Sequence, residues 1–152
     1  PLKRAFRVSK MPLAALEATL QLYLRPDRLV RDLPALRLLT RPKREIEAMA
    51  TQLLSSVAKA VAPRFRVEVV DTDSQIGSGA LPQATIPSSG LALSPASVPR
   101  KQLNGELNAL ATALRRLPRP VLGRIVDDQL VLDLRCLEAP HELVEQLADP
   151  PV

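Results

Sequence analysis

The chain has 152 residues, of which 46% are apolar and only 2% aromatic. That length suits one domain, and the apolar share is enough for a packed core of Leu, Val, Ile and Ala. Such a core points to helices with a small sheet, and speaks against an aromatic-rich sandwich or a platform on which bases stack. The net charge is +5, from 21 basic and 16 acidic side chains, a balance compatible with an anionic partner such as RNA and also with an ordinary surface. Lys3, Arg4, Arg7 and Lys10 stand in the first ten residues with no acid among them, and without them the chain is close to neutral. A single cysteine, Cys136, excludes an internal disulfide framework and offers no metal-ligand spacing. Set in an apolar run, it reads as a buried thiol of a reducing cytosol. There is no signal peptide and no uninterrupted apolar stretch of about 18 residues, so no membrane partner is expected. The chain does not start with Met, which is consistent with a fragment.

Ser9 is placed to cap a helix with Pro12 in its first turn, where a missing N–H does least harm. Leu13, Leu16, Leu20, Tyr23 and Leu24 then recur at helical spacing. Arg25-Pro26 closes this segment, because the residue before a proline is pushed out of the helical region. A short irregular or helical stretch runs on through Leu33-Pro34.

Thr40-Arg41-Pro42 opens the clearest helix. Thr40 is expected as its cap and Pro42 in its first turn, and Ile46, Met49, Leu53, Leu54, Val57 and Val61 form one stripe. After Pro63 the period changes from 3.6 to 2. Phe65, Val67 and Val69 alternate with Arg64, Arg66 and Glu68, the pattern of a strand with one wet face. Residues 71–90 read as a polar loop punctuated by Gly and Pro, followed by a short strand at Leu91 to Leu93. Leu103, Leu107, Leu110, Leu114 and Leu117 mark another helix, ended by Pro118 and Pro120. Val121 to Val126 and Leu130 to Leu134 are apolar runs joined by Asp127-Asp128-Gln129, a hairpin signal. Pro140 starts a last short helix with Leu143, Val144 and Leu147 inward. The order predicts a two-layer α+β domain, with helices on one face of a small, mainly antiparallel sheet.

Three stretches resemble bacterial selenocysteine synthase, in that family's order and at about its spacing: PLKRAFRVSKMPLAALEATLQLYL at 1–24, LPALRLLTRP at 33–42, and SQIGSGALP at 74–82 with PVLGRIVDDQLVLDLRCLE at 120–138. The resemblance implies the small C-terminal domain of a fold type I pyridoxal-phosphate enzyme. Residues 1–24 would be the helix linking it to the large domain, and 25–152 the small domain itself. The implied reaction turns seryl-tRNA(Sec) into selenocysteyl-tRNA(Sec) with selenophosphate, in a cytoplasmic homo-oligomer. The family's cofactor lysine lies upstream, so no residue of this chain is assigned to it and the chain alone is expected to be inactive. Where the family commonly has Asp after Arg-Val, this chain has Ser9; both residues cap helices, but a role resting on charge is in doubt.

Arg4 and Arg7 are spaced to share one side of a helical turn and present two permanently charged forks. The resemblance assigns them to the selenophosphate site, since guanidinium groups grip such oxygens in pairs. A solvated basic face, or contacts to RNA phosphates, is the competing reading. Ser74, Gln75, Gly77 and Gly79 are candidates for lining the cleft, because glycines permit a close backbone approach and freed N–H groups hold anions. A tight turn between strands needs glycines as well. Arg124 and Arg135 are expected on the polar face of the hairpin and left unassigned, Asp133 as a paired structural carboxylate, and His141 at the surface. The basic groups Arg41, Lys43, Arg44 and Arg115, Arg116, Arg119 are open to tRNA phosphates. Neither a metal site nor a DNA partner is expected. Two other readings remain: a lyase or aldolase relative of the same fold, and a free-standing basic module that binds RNA or protein.

Overall fold

The computed structural model describes residues 7–76 and 85–147. The chain divides into two compact units, Pro1–Thr40 and Arg41–Val152.

The first unit is helical. Helix α1 spans Lys10–Tyr23, α2 Pro26–Asp32 and α3 Pro34–Leu39. Prolines open α2 and α3, where the absent N–H is one the helix would leave unpaired anyway. Ser9 occupies the N-cap position of α1 in extended conformation, yet its side chain makes no capping bond. Leu13, Leu16, Leu20 and Tyr23 do recur along α1, but each stays more than half exposed.

The second unit holds the core. Helix α4 spans Lys43–Val61, and the 3.6-residue stripe predicted for it is the face it buries: Ile46, Leu53, Val57 and Val61 are inside, with Met49 and Leu54 packed beside them. The expected cap is corrected. Pro42 takes the N-cap position, and the Thr40 hydroxyl instead bonds back to the Leu36 carbonyl at 2.7 Å. That is the common local alternative for a threonine at the end of a preceding helix.

Strands β1 (Phe65–Gln75) and β2 (Thr85–Pro95) form a long antiparallel pair, from Phe65 opposite Pro95 to Gln75 opposite Thr85. The reading of 71–90 as loop is therefore corrected, since 71–75 and 85–90 are strand. Polar composition misled because Thr72, Ser74, Ser88 and Ser89 find polar partners within the protein rather than water. Helix α5 (Arg100–Arg115) follows, then β3 (Arg124–Val126), β4 (Gln129–Asp133) and helix α6 (Pro140–Gln146). The strand expected from Val121 begins only at Arg124. Val121 instead donates its N–H to the Leu114 carbonyl at the end of α5. Asp127 and Asp128, at φ 49 and 61, form the two-residue turn of the predicted hairpin, the left-handed pair that matches strand twist.

The sheet is antiparallel in the order β1-β2-β4-β3. Cross-strand partners share a face, so Val67, Leu93 and Leu130 line one side together with Val69, Leu91 and Leu132. These six join the leucines of α5 and α6 and the stripe of α4 in one core. The two-layer α+β architecture expected from the element order is what this unit has. Gly90 faces Asp133 where β2 meets β4, and a Cβ there would lie 2.3 Å from the Leu132 carbonyl oxygen. The backbones of the two paired strands pass too closely there for any other residue.

Candidate functional site: a polar cluster on the open face of the sheet

The face opposite the core carries polar side chains from four strands. Asp133, on β4, accepts from the Ser88 hydroxyl at 2.7 Å through Oδ1 and from the Ser74 hydroxyl through Oδ2. Its Oδ1 also accepts the Arg135 backbone N–H at 3.1 Å. Asp133 thus ties β2 and β1 to its own strand, the paired structural carboxylate foreseen for it. Arg135 is only 3% exposed. Its Nε donates to Ser74 Oγ at 3.1 Å, its Nη2 to the Pro87 carbonyl at 2.6 Å and its Nη1 to the Arg41 carbonyl at 2.9 Å. Pro87 suits this place because β2 pairs with β4 only from Gly90 onward, so no ladder donor is missed on that side. Arg41 returns the contact, its Nη1 donating to the carbonyls of Arg135 and Leu137 at 3.0 and 2.8 Å.

Farther along this face, Arg124 donates to the Asp73 carbonyl at 3.0 Å and to the Thr72 hydroxyl, and Gln129 bonds to Glu68 at 2.8 Å. Arg124 stands on the polar face of the hairpin as expected, and so does Arg135, which bonds to Ser74 there but is buried just past the strand. The expectation for Cys136 is corrected: placed inside by its apolar run, it is exposed in the following turn. Arg135 keeps the alternation of Val131 and Asp133 and reaches a ring of carbonyls, whereas the turn breaks it at Cys136 and leaves the thiol to solvent. Periodicity could not show this, since it assumes the strand continues.

The candidate site residues fare differently. Ser74 belongs to the cluster and is half-buried, whereas Gln75, the last residue of β1, is exposed. Gly77, Gly79 and Arg4 lie outside the described residues. Arg7 is exposed and precedes α1, which begins at Lys10. Of the basic groups considered for tRNA, Arg41 is engaged as above, Lys43 pairs with Asp71 at 2.7 Å, and Arg119 pairs with Glu142. His141 is exposed at the start of α6, and no group of three or more metal-binding side chains occurs among the described residues. No helix among them is long and apolar enough to cross a membrane. The contribution of Arg41 and Arg135 is what sequence reasoning missed. The only available signal was an arginine two residues after an aspartate in a run of otherwise apolar residues, LVLDLRCL.

The geometry is that of a latch: a carboxylate and a guanidinium fasten β1 and β2 together at the end where Gln75 pairs with Thr85. The model of the SelA family, L-seryl-tRNA selenium transferase, matches residues 1–138. The chain belongs to this family. The L-seryl-tRNA(Sec) selenium transferase of Methylocella silvestris is 55% identical over 137 residues, which is 90% of this chain and 28% of that protein. Those of Yersinia pestis and Yersinia pseudotuberculosis are 48% identical over 148 residues, 97% of this chain and 31% of theirs. The chain thus spans less than a third of the length of the curated selenium transferases it matches. Every residue of the latch lies within the span that the family model matches.

Proposed function

We propose that this chain is the C-terminal part of a selenium transferase that converts seryl-tRNA(Sec) to selenocysteyl-tRNA(Sec) with selenophosphate. The single observation that carries the reading is the family match over residues 1–138, joined by identities of about half with proteins of that name. In this reading residues 1–24 link to the large domain and 25–152 form the small domain. Arg4 and Arg7 bind the selenophosphate oxygens, since two guanidinium forks match a compact, highly charged anion. Ser74, Gln75, Gly77 and Gly79 stand toward the cleft. The whole protein works in the cytoplasm as a homo-oligomer, which would supply cover for apolar residues of α1 such as Leu16 and Leu20.

Pyridoxal phosphate, the cofactor this reading implies, supplies an electron sink for replacing the serine hydroxyl. It is held by a lysine, and the described lysines do not fit that task. Lys10, Lys59 and Lys101 are exposed, and Lys43 is engaged with Asp71. In this reading the cofactor's lysine lies upstream of this chain, and no step of its chemistry is assigned to the described residues.

The test is selenium transfer by the full-length protein with seryl-tRNA(Sec), selenophosphate and pyridoxal phosphate. Selenocysteyl-tRNA should form. Arg4→Ala and Arg7→Ala should each raise the KM for selenophosphate about tenfold or more while the cofactor's absorbance is unchanged. No transfer by a folded, cofactor-loaded protein would overturn the reading, and wild-type kinetics in both variants would remove the two arginines from it.

A further inference from the structure

Helix α1 is apolar nearly all round. Of its 14 residues only Lys10 and Glu17 carry charge. Leu13, Leu16, Leu20 and Tyr23, spaced three, four and three apart, stand on one side, and each is more than half exposed. Leu22 stands on the opposite side and is the one residue of α1 that is partly covered. A surface helix turns a polar face to water, whereas a helix without one belongs inside a larger body of protein or lipid. At 14 residues α1 is about 21 Å long, too short for the roughly 30 Å of a bilayer core. Protein is the cover that fits.

The first unit does not supply it. None of its described residues is buried, and nine of the twelve exposed large apolar side chains among the described residues belong to it. Its helices have 14, seven and six residues, lengths that hold their shape through packing rather than propensity. The family match takes in all three, so their open face is one that the family's fold accommodates.

Two occupants offer cover, a second copy of this unit and the remainder of the polypeptide. Charge separates them. The first unit carries eight basic and three acidic residues and with them the whole net charge of +5, while the thirteen of each sign in the second unit cancel. Two copies pairing through α1 would set these like-charged units face to face, which opposes association. The remainder is ample, because about 70% of the matched transferases' length lies outside the matched span.

We propose that Leu13, Leu16, Leu20 and Tyr23 dock on the part of the same polypeptide that precedes residue 1 in the full-length protein. This rests on the reading of the chain as the C-terminal part of a selenium transferase. It deepens that reading by moving the cover of Leu16 and Leu20 from a subunit interface to the protein's own large domain.

The experiment is photo-crosslinking of the full-length protein with benzoylphenylalanine in place of Leu16. The product should keep the mass of one chain on a denaturing gel and join α1 to a peptide upstream of residue 1. A product of doubled mass would make a second copy the occupant and overturn the proposal, as would attachment within residues 41–152. Leu20→Cys, a smaller change, runs alongside in case the label prevents folding. Its thiol should react with a maleimide about tenfold or more slowly than the exposed Cys136. Equal rates would show the face open to solvent and refute the docking. Neither readout involves selenium transfer, so a protein that transfers no selenium can still show the contact, and an active one can still lack it.

Discussion

Arg41 and Arg135 each donate to the other's backbone carbonyl, at 3.0 and 2.9 Å, across 94 residues of sequence. The exchange closes the start of the second unit onto the turn after β4, and it leaves the Arg135 guanidinium among carbonyl and hydroxyl oxygens rather than in water. Replacing Arg135 by Met would keep much of the volume but strand the Arg41 and Pro87 carbonyls and Ser74 without their donor. The expected cost is about 2–4 kcal/mol in urea unfolding, with Arg135→Lys intermediate. Unchanged stability of Arg135→Met would mean that water replaces the guanidinium at no cost.

Two glycines should respond in opposite directions to the same change. At Gly90 the new methyl would meet the Leu132 carbonyl oxygen 2.3 Å away, backbone that cannot step aside without opening the sheet. Gly90→Ala is expected to cost about 2–3 kcal/mol. Gly105 lies exposed within α5 and has nothing within 4 Å of its would-be Cβ. Gly105→Ala should stabilise by about 0.5–1 kcal/mol, through helix propensity alone. Thermal unfolding of both variants side by side checks the pair, and equal signs would contradict it.

Leucines at helical spacing are not equivalent here. Leu107 on α5 is wholly buried, whereas Leu20 on α1 is 56% exposed. Leu107→Ala should cost about 2–5 kcal/mol by opening a cavity in the core. Leu20→Ala should change the stability of this chain by no more than about 0.5 kcal/mol. A large loss at Leu20 would reveal that α1 is covered in the folded protein.

The Asp32 carboxyl titrates below the ordinary carboxylate range, chiefly because the Arg31 side chain donates a hydrogen bond to it, Nε to Oδ1 at 2.7 Å. Since the folded-state value is depressed, the small stabilisation is present above the ordinary carboxylate pKa and fades as pH falls through the lowered one. Both residues lie at the surface, so salt should weaken the effect. Carbon-detected NMR titration should show the Asp32 midpoint rising in Arg31→Ala, and an unmoved midpoint would dismiss Arg31 as its cause.

Much of the second unit was legible because its elements bury one face each. A helix that buries Ile46, Leu53, Val57 and Val61 must repeat them every three or four residues. A hairpin turned by Asp127 and Asp128 must likewise place residues that tolerate left-handed backbone between two apolar runs. Such constraints are local and one-dimensional, so the sequence by itself determined the helices, the hairpin, the two-layer class and, through its motifs, the family. Residues 71–75 and 85–90 were misread for the complementary reason. Their Ser, Thr and Asp side chains signal a loop when water is the assumed partner, and here the partners are Asp133, Arg124 and Arg135. Which polar residue finds which partner depends on how a hairpin arm folds over a strand some sixty residues on, about which neighbouring residues carry no information. Tertiary structure alone decided that Arg135 is buried and Cys136 exposed, and that Ser74 is spent on Asp133 while Gln75 is left open. A buried charge survives only where distant carbonyl and hydroxyl oxygens converge on it, and that convergence is a property of the folded chain.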